Sequence, residues 1–515
     1  MFFLNRKTIL HDTLLLTAAN LTLRTVSLLF QVYLSGIIGA AGMGRMQLVL
    51  TAGGFAMTLG TSGVRVASMN LTAEECGLGR DAGRKKAITA CLLYALCFSV
   101  PTGLALCIAA RPIAMRWIHD SSTAFALRLL GLSLPLNCLS AVLGGYFTAR
   151  GKIRPLVAVE ILERMLSIAA TVLMLRFCTD GTTGRSVAAV VGGSTLSAAF
   201  GFLLLLRMLQ KDLCGIRGSR EIPMMRRLLH LCVPLALGDY LRSGLATLEQ
   251  FLIPWGLAQA AQSREVSMAA YGVIGGMVFP ILMFPAALFY SLSDRMVPEL
   301  SRCRARGSWK RIRFLTGRCL RIGTVYAAAV AGGMYVLAPA LGVLFYHSAD
   351  AGAYLRLFAP LILMLYPDAL TDGMLKGLGE QAAGVRYNTL TAAMDVALLW
   401  LLLPRVGIAG YYFSFAVTHG VNFALSLHRL CTVSRCKADL PHALRTVCAA
   451  VLAAAATLHL APAAERPVSV LLSGTVFLLL FFVSGWLLGA VRKSDLHLFL
   501  PCKKLPAETR REEAS

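Results

Sequence analysis

Gly145–Pro155 reads GYFTARGKIRP. The stretch ends an apolar run that starts near residue 123, and it holds three basic residues between a glycine and a proline. Gly373–Ala383, GMLKGLGEQAA, ends a second such run, and Gly145 matches Gly373 as Gly151 matches Gly379. Counting apolar runs outward places these junctions after the fourth and the tenth. Six spans apart is an even number, so the two copies run in the same direction. Two parallel six-helix halves form a transporter plan, with the substrate bound between them near the midplane.

The whole chain fits that plan. Its 515 residues are 57% hydrophobic and 15% charged, with mean hydropathy +0.67, whereas a soluble domain carries about 25% charged residues. Runs of about 20 apolar residues match a bilayer core about 30 Å thick, and fourteen recur between residues 12 and 491. The fold expected is an all-α polytopic membrane protein with about 14 transmembrane helices. Residues 1–210 form an N-terminal six-helix lobe, 211–227 a basic linker and 228–430 a C-terminal six-helix lobe. Residues 431–491 add helices 13 and 14, and 492–515 make a basic, polar tail. The N-terminus MFFLNRKTILHD lacks the cleavage site of a signal peptide.

The net charge of +24 does not indicate a nucleic-acid partner, because the basic residues sit in short segments between apolar runs rather than on a soluble face. They encode topology instead. With the N-terminus inside, 36 of the 50 lysines and arginines fall on the inner side, nine on the outer side and five within spans. That bias predicts an N-in, C-in protein. The fourteen cysteines are scattered with no CxxC pair, so neither a zinc site nor a disulfide framework is expected. His119, His347 and His419 are isolated, and no loop holds a catalytic cluster. The chain is read as a non-enzyme with no cofactor, working as a monomer among membrane lipids.

The five intramembrane arginines mark candidate sites, since an arginine at membrane depth costs several kcal/mol unless it faces water or a partner. In the first span, 12–35, Thr17, Asn20, Arg24, Ser27 and Gln31 step by three and four along one stripe. Arg24 lies too deep to reach the interface, so it either pairs with an acid in the bundle or lines a watery cavity. In the second span, 47–70, Thr51, Gly54, Thr58, Thr61, Arg65 and Ser68 repeat the stepping. Arg65 is near the inner end, where snorkelling competes with a cavity role. The seventh span, 228–255, holds Asp239, Arg242, Glu249 and Gln250, and Arg242 aligns with Arg24 in the repeat. These residues give a substrate-binding set of Asn20, Arg24, Gln31, Arg65 and Arg242.

The tenth span, 357–377, contains YPDALTDGMLKG, in which Asp368, Asp372 and Lys376 form a ladder after Pro367. Asp395 sits in the eleventh span. The proline is expected to break the helix and free carbonyls. Glu249, Asp368 and Asp372 could then couple transport to Na⁺ or H⁺, unless Lys376 simply neutralises Asp372.

Three longer stretches carry a family resemblance. Ile37–Glu75 is similar to helices 1 and 2 of the polysaccharide biosynthesis and stage V sporulation protein B family, within the multidrug/oligosaccharidyl-lipid/polysaccharide (MOP) flippase superfamily that also holds lipid II flippases. Gly145–Arg164 resembles that family's helix 4–5 junction, and Leu401–Gly420 its helix 11–12 hairpin. The family's usual acid after its first LGA is Ala41 here. The resemblance implies a multi-pass protein of the bacterial cytoplasmic membrane. It implies alternating-access flipping of an undecaprenyl-linked oligosaccharide or a lipid II-type precursor, for cell-wall, spore-cortex or polysaccharide synthesis. It also implies that spans 446–462 and 467–491 accommodate the lipid tail. Arginine suits such a pyrophosphate head group, since its planar fork grips phosphate oxygens. A cation-coupled multidrug exporter of the same superfamily is the alternative. Glu249 and the tenth-span acids favour it, and Arg24 opposes it.

Overall fold

The computed structural model describes residues 6–61, 63–177, 183–214, 224–261, 263–461 and 466–490, with side chains in the first helix from Thr22 onward. Seventeen α-helices follow one another among the described residues. They are α1 (Arg6–Thr61), α2 (Val64–Gly77), α3 (Asp81–Ile113), α4 (Ala124–Ala149), α5 (Ile153–Phe177) and α6 (Thr183–Leu213). Then come α7 (Met224–Ala261), α8 (Arg264–Val273), α9 (Phe279–Met283), α10 (Ala287–Ala305), α11 (Trp309–Tyr346) and α12 (Ala349–Phe358). The last are α13 (Ile362–Gly377), α14 (Gln381–Val406), α15 (Ile408–Ser434), α16 (Leu440–Leu460) and α17 (Pro467–Leu487).

Among the described residues, ten stretches are long and apolar enough to cross a membrane. The first, Thr22–Gly77, spans 56 residues, about 84 Å at 1.5 Å per residue and far more than one bilayer. Gly39 divides it: its backbone is left-handed, with φ 68°, a conformation only glycine adopts cheaply. Helices α5 and α7 are long enough to cross as well but less apolar, because Glu160, Glu163 and Arg164, and Asp239, Arg242 and Glu249, lie within them. With α8 to α10 and α12 to α13 each forming one interrupted crossing, the chain is the all-α polytopic membrane protein expected.

Contacts gather the chain into two compact units, Met1–Met277 with Ala392–Phe415, and Val278–Thr391 with Ala416–Ser515. This grouping differs from the lobe boundaries read from the linker at 211–227, because α7 and α8 pack with the first six crossings. Glycine sets that packing. A Cβ on Gly272 of α8 would lie 1.9 Å from the Ala40 carbonyl, and one on Gly44 would lie 2.4 Å from the Met268 carbonyl. Backbone therefore rests on backbone, and each glycine is a steric requirement. A second core joins α2 to α7 through Val64, Ala67, Ile88, Tyr146, Phe147 and Leu228, all at most 1% exposed. In the other unit α11, α16 and α17 share a core around Phe477 and Phe481.

The matched junctions Gly145–Pro155 and Gly373–Ala383 adopt the same structure. Gly151 and Gly379 are both left-handed, with φ 70° and 72°. In each, the residue after the glycine donates its N–H back across the helix end, Lys152 to the Phe147 carbonyl and Glu380 to that of Leu375. Such a close leaves the last carbonyls satisfied. Gly79 and Gly307, and His119 and His347, repeat at the same spacing, again all with positive φ. Each junction is also clasped to the end of a helix. Arg150 and Lys152 bind Asp212 at the end of α6, while Glu380 accepts from Arg429 of α15 at 2.8 Å. The geometry is repeated with the charges exchanged.

Candidate functional site

The proposed polar residues fall into a group in each unit, and each is described on its own. In the first unit, the stripe on α1 is directed at α8. Gln31 Nε2 donates to the Gly276 carbonyl at 2.9 Å, within the π-turn Ile274–Val278 that follows α8. Ser27 bonds back to the Leu23 carbonyl. Arg24, further along the same face, is exposed. Asn20 and Thr17 lie outside the described side chains.

The second stripe does not continue as one face. Gly63 stands left-handed between α1 and α2, with φ 73°, so the count from Thr61 to Arg65 crosses a helix break. Ser68 is buried and donates to the Val142 carbonyl of α4 at 2.9 Å. Arg65 is exposed, and its guanidinium has no hydrogen-bond or ion-pair partner among the described residues. Before the break the stripe faces α7, where Ser243 Oγ bonds Thr58 Oγ1 at 3.1 Å and Tyr240 bonds the Leu59 carbonyl. Arg242, one residue from that contact, is exposed and pairs with Asp239 at 3.1 Å, itself half exposed. Arg242 sits near the middle of the 38-residue α7, roughly 27 Å from either end.

Two turns beyond Arg242 along the same face of α7, Glu249 enters a buried polar cluster. Asp395 of α14 and Tyr271 and Tyr411 lie within its electrostatic reach. Tyr271 donates to Gln250 Oε1 at 2.7 Å, and Ser414, fully buried, donates to Asp395 Oδ1 at 2.7 Å. The tyrosines give no signal in the sequence, because their positions within α8 and α15 read as ordinary apolar helix.

In the second unit, α13 turns two faces to its neighbours. Gly373 and Gly377 form the face against α10, where added Cβ atoms would meet Ser293 Oγ and the Val297 carbonyl. Asp368 and Asp372 are offset by about 140° from that face, and their partners come from α14 and α15. Asn422 Nδ2 donates to Asp368 Oδ2 at 2.9 Å, and the Asn388 side chain lies near Asp372. Thr391 reaches Asn422 Oδ1 at 3.5 Å. The Oδ1 atoms of both aspartates are buried without a hydrogen-bond partner. Buried carboxylate oxygens are rarely left so, and two of them on one turn make an acceptor pair open to a small cation or a proton. No group of three or more histidine, cysteine or acidic residues fit to hold a metal ion occurs among the described residues.

Pro367 lies inside its helix rather than at its end. Helix α13 runs through it, and the interruption lies earlier, at the 3₁₀ turn Ala359–Leu361. Thr371 Oγ1 donates to the Pro367 carbonyl at 2.8 Å. The proline instead withholds the N–H that the Leu363 carbonyl would accept. Lys376, one turn beyond Asp372, is exposed and within electrostatic reach of it.

A groove marks the same unit. Helices α11 and α17 enclose about 650 Å³ lined by Val325, Ala329, Met334, Phe477, Phe481 and Phe482, with Arg321 at its edge.

Known proteins share this architecture. The family profile described as polysaccharide biosynthesis protein matches residues 9–293, more than half of the chain. Stage V sporulation protein B of Bacillus subtilis (strain 168) is 22% identical over 441 residues, covering 84% of this chain and 84% of that protein. The structure of the lipid II flippase MurJ in an inward closed conformation superposes with a TM-score of 0.73 at 11% identity, over 92% of this chain and 98% of the other. An inward-facing multidrug resistance MATE family transporter of the MOP superfamily gives 0.59 at 16% identity, over 81% of this chain and 96% of the other. The fold is shared with both.

Proposed function

The chain belongs to the polysaccharide biosynthesis protein family, and from that premise we propose that it is a flippase for an anionic lipid-linked sugar precursor. The observation that carries the reading is the exposure of Arg24, Arg65 and Arg242 on α1, α2 and α7. An arginine within a bilayer-length helix avoids hydrocarbon, so an exposed one belongs to a water-filled path. Guanidinium groups hold pyrophosphate oxygens in pairs and keep their charge when partly desolvated. The α11–α17 groove, apolar along its length, has the chemistry of a polyprenyl tail. The lipid II flippase MurJ, by its name, supports a substrate of the lipid II type, an undecaprenyl-linked oligosaccharide is what the family resemblance implies, and the N-in, C-in arrangement follows the charge bias. In this reading the protein is a transporter and catalyses no covalent step.

Asp368 and Asp372, with Glu249 and Asp395 in the other unit, are the groups proposed to take Na⁺ or H⁺ during the cycle. The two orphaned Oδ1 atoms favour the first pair as the ion site. Fluorescent undecaprenyl-pyrophosphate sugars, reconstituted with the purified protein in vesicles, test the proposal by their accessibility to an impermeant quencher. Flipping of the pyrophosphate lipid but not of a neutral dolichol-like analogue is expected. Export of organic cations with no lipid flipping would make the chain a drug exporter instead.

A further inference from the structure

We propose that the first unit carries a separate binding site for a sugar ring, in a pocket where the end of α3 meets α7 and the start of α8, at the end of the bundle the charge bias assigns to the outer side. The pocket holds about 410 Å³ and is lined by Arg45, Trp117, Trp255, Gln259, Arg264 and Glu265. That volume falls within the range of small-molecule sites. Two of the chain's five tryptophans stand here. A tryptophan at a membrane interface ordinarily needs only the head groups around it. Two that share a pocket with charged and amide side chains call for a ligand with an apolar face and a polar edge.

The two indoles are accessible and held in place. Trp117 lies in the π-turn Ala114–Ile118 that closes α3, a local widening of the helix that recurs at functional sites. Its ring meets that of Phe251 on α7 at 5.0 Å and 70°, which ties α3 to α7, yet the residue stays 51% exposed. Trp255, one turn along α7 from Phe251, is 41% exposed. A half-covered indole offers a flat apolar surface with one polar N–H at its edge.

The polar groups suit hydroxyls better than an ion. Arg45 pairs with Asp120 through Nε at 3.2 Å and with Glu265 through Nη2 at 3.0 Å. With Asp120 counted, the arginines and acids at the pocket balance at two each. The Glu265 carboxylate keeps lone pairs beyond those Arg45 takes, Gln259 presents an amide donor and acceptor, and Arg264 adds guanidinium donors. Donors and acceptors of both kinds around flat apolar surfaces match a pyranose, whose ring C–H faces are apolar and whose rim is hydroxyl. A phosphate would leave both indoles unused, an organic cation would face Arg45 and Arg264, and a hydrocarbon chain would leave the polar groups unanswered. The site is distinct from Arg24, Arg65 and Arg242. Assigning its sugar to the lipid-linked precursor rests on the flippase reading, whereas binding of the sugar itself does not.

Saturation-transfer difference NMR of the full-length protein, in lauryldimethylamine oxide micelles that carry no sugar, tests the site with soluble N,N′-diacetylchitobiose and with glycerol as control. Transfer to the ring protons of the disaccharide and none to glycerol is expected. Trp255→Ala should weaken binding about tenfold, the worth of one aromatic contact, and Trp255→Phe should retain most of it. Gln259→Ala, at an exposed position, should weaken it about fivefold for one lost hydrogen bond, and it carries the test if Trp255→Ala does not fold. No transfer with wild type, or unchanged binding in both alanine variants, overturns the proposal. The undecaprenyl-pyrophosphate-linked disaccharide should displace the free one; failure to do so overturns its assignment as the occupant in favour of a soluble glycan. Lipid flipping by a protein that does not bind the free disaccharide removes this site and leaves the flippase reading standing, and binding without flipping does the reverse.

Discussion

Asp368→Asn changes one charge and almost no volume, so it isolates what the carboxylate contributes. Asn422 Nδ2 stands 2.9 Å from Oδ2, and a hydrogen bond to a charged acceptor contributes about 1 kcal/mol more than one to a neutral acceptor. For a bound monovalent cation the larger loss is electrostatic. A carboxylate about 4 Å from a unit charge contributes about 4 kcal/mol at an effective dielectric constant near 20, and the amide oxygen that replaces it retains about half. The expected loss of cation binding is about 2 kcal/mol, a factor of about thirty. Flipping is then measured in vesicles with imposed Na⁺ or H⁺ gradients at clamped membrane potential. The concentration of the coupling ion that gives half-maximal rate should rise about thirtyfold in the variant, while expression and melting temperature hold. Asp372→Asn should behave alike, because its Oδ1 is orphaned in the same way. A wild type indifferent to both gradients, or an Asp368→Asn protein with an unaltered ion response, would refute the assignment.

Arg24→Ala should abolish flipping with membrane insertion intact, and Arg24→Lys should restore it only in part for want of the bidentate fork; normal transport by the alanine variant ends the substrate-site reading. Single cysteines in residues 295–321, on a cysteine-free background, should resist impermeant reagent in whole cells while cysteines near Thr182 label, and the reverse pattern inverts the topology. Gly151→Ala meets nothing within 4 Å, so its cost of about 1 kcal/mol is purely the left-handed backbone. It should lower the melting midpoint by about 1 °C, with Gly151→Asn closer to wild type and an unchanged midpoint excluding the cap geometry.

Features that are local in the chain are legible in the amino-acid sequence by itself. Apolar runs mark the crossings, because a bilayer demands a fixed length of hydrocarbon from every helix. The repeat is visible at Gly151 and Gly379 because a left-handed helix close selects glycine whatever packs around it. What the polar stripes mean is not legible, since periodicity assumes an unbroken helix and Gly63 breaks this one between Thr61 and Arg65. Partners are hidden too. Gln31 meets the Gly276 carbonyl only because Gly272 and Gly44 let α8 lie against the backbone of α1. Asn422 and Asn388 lie among other polar residues of their helices, such as Thr391 and Thr418, and nothing in their own neighbourhoods assigns them to Asp368 and Asp372. Those choices, like the gathering of Arg45, Trp117 and Trp255 at one pocket, are made by the distance between helices remote in sequence. Side-chain volumes across the whole bundle set that distance, and no one segment encodes it.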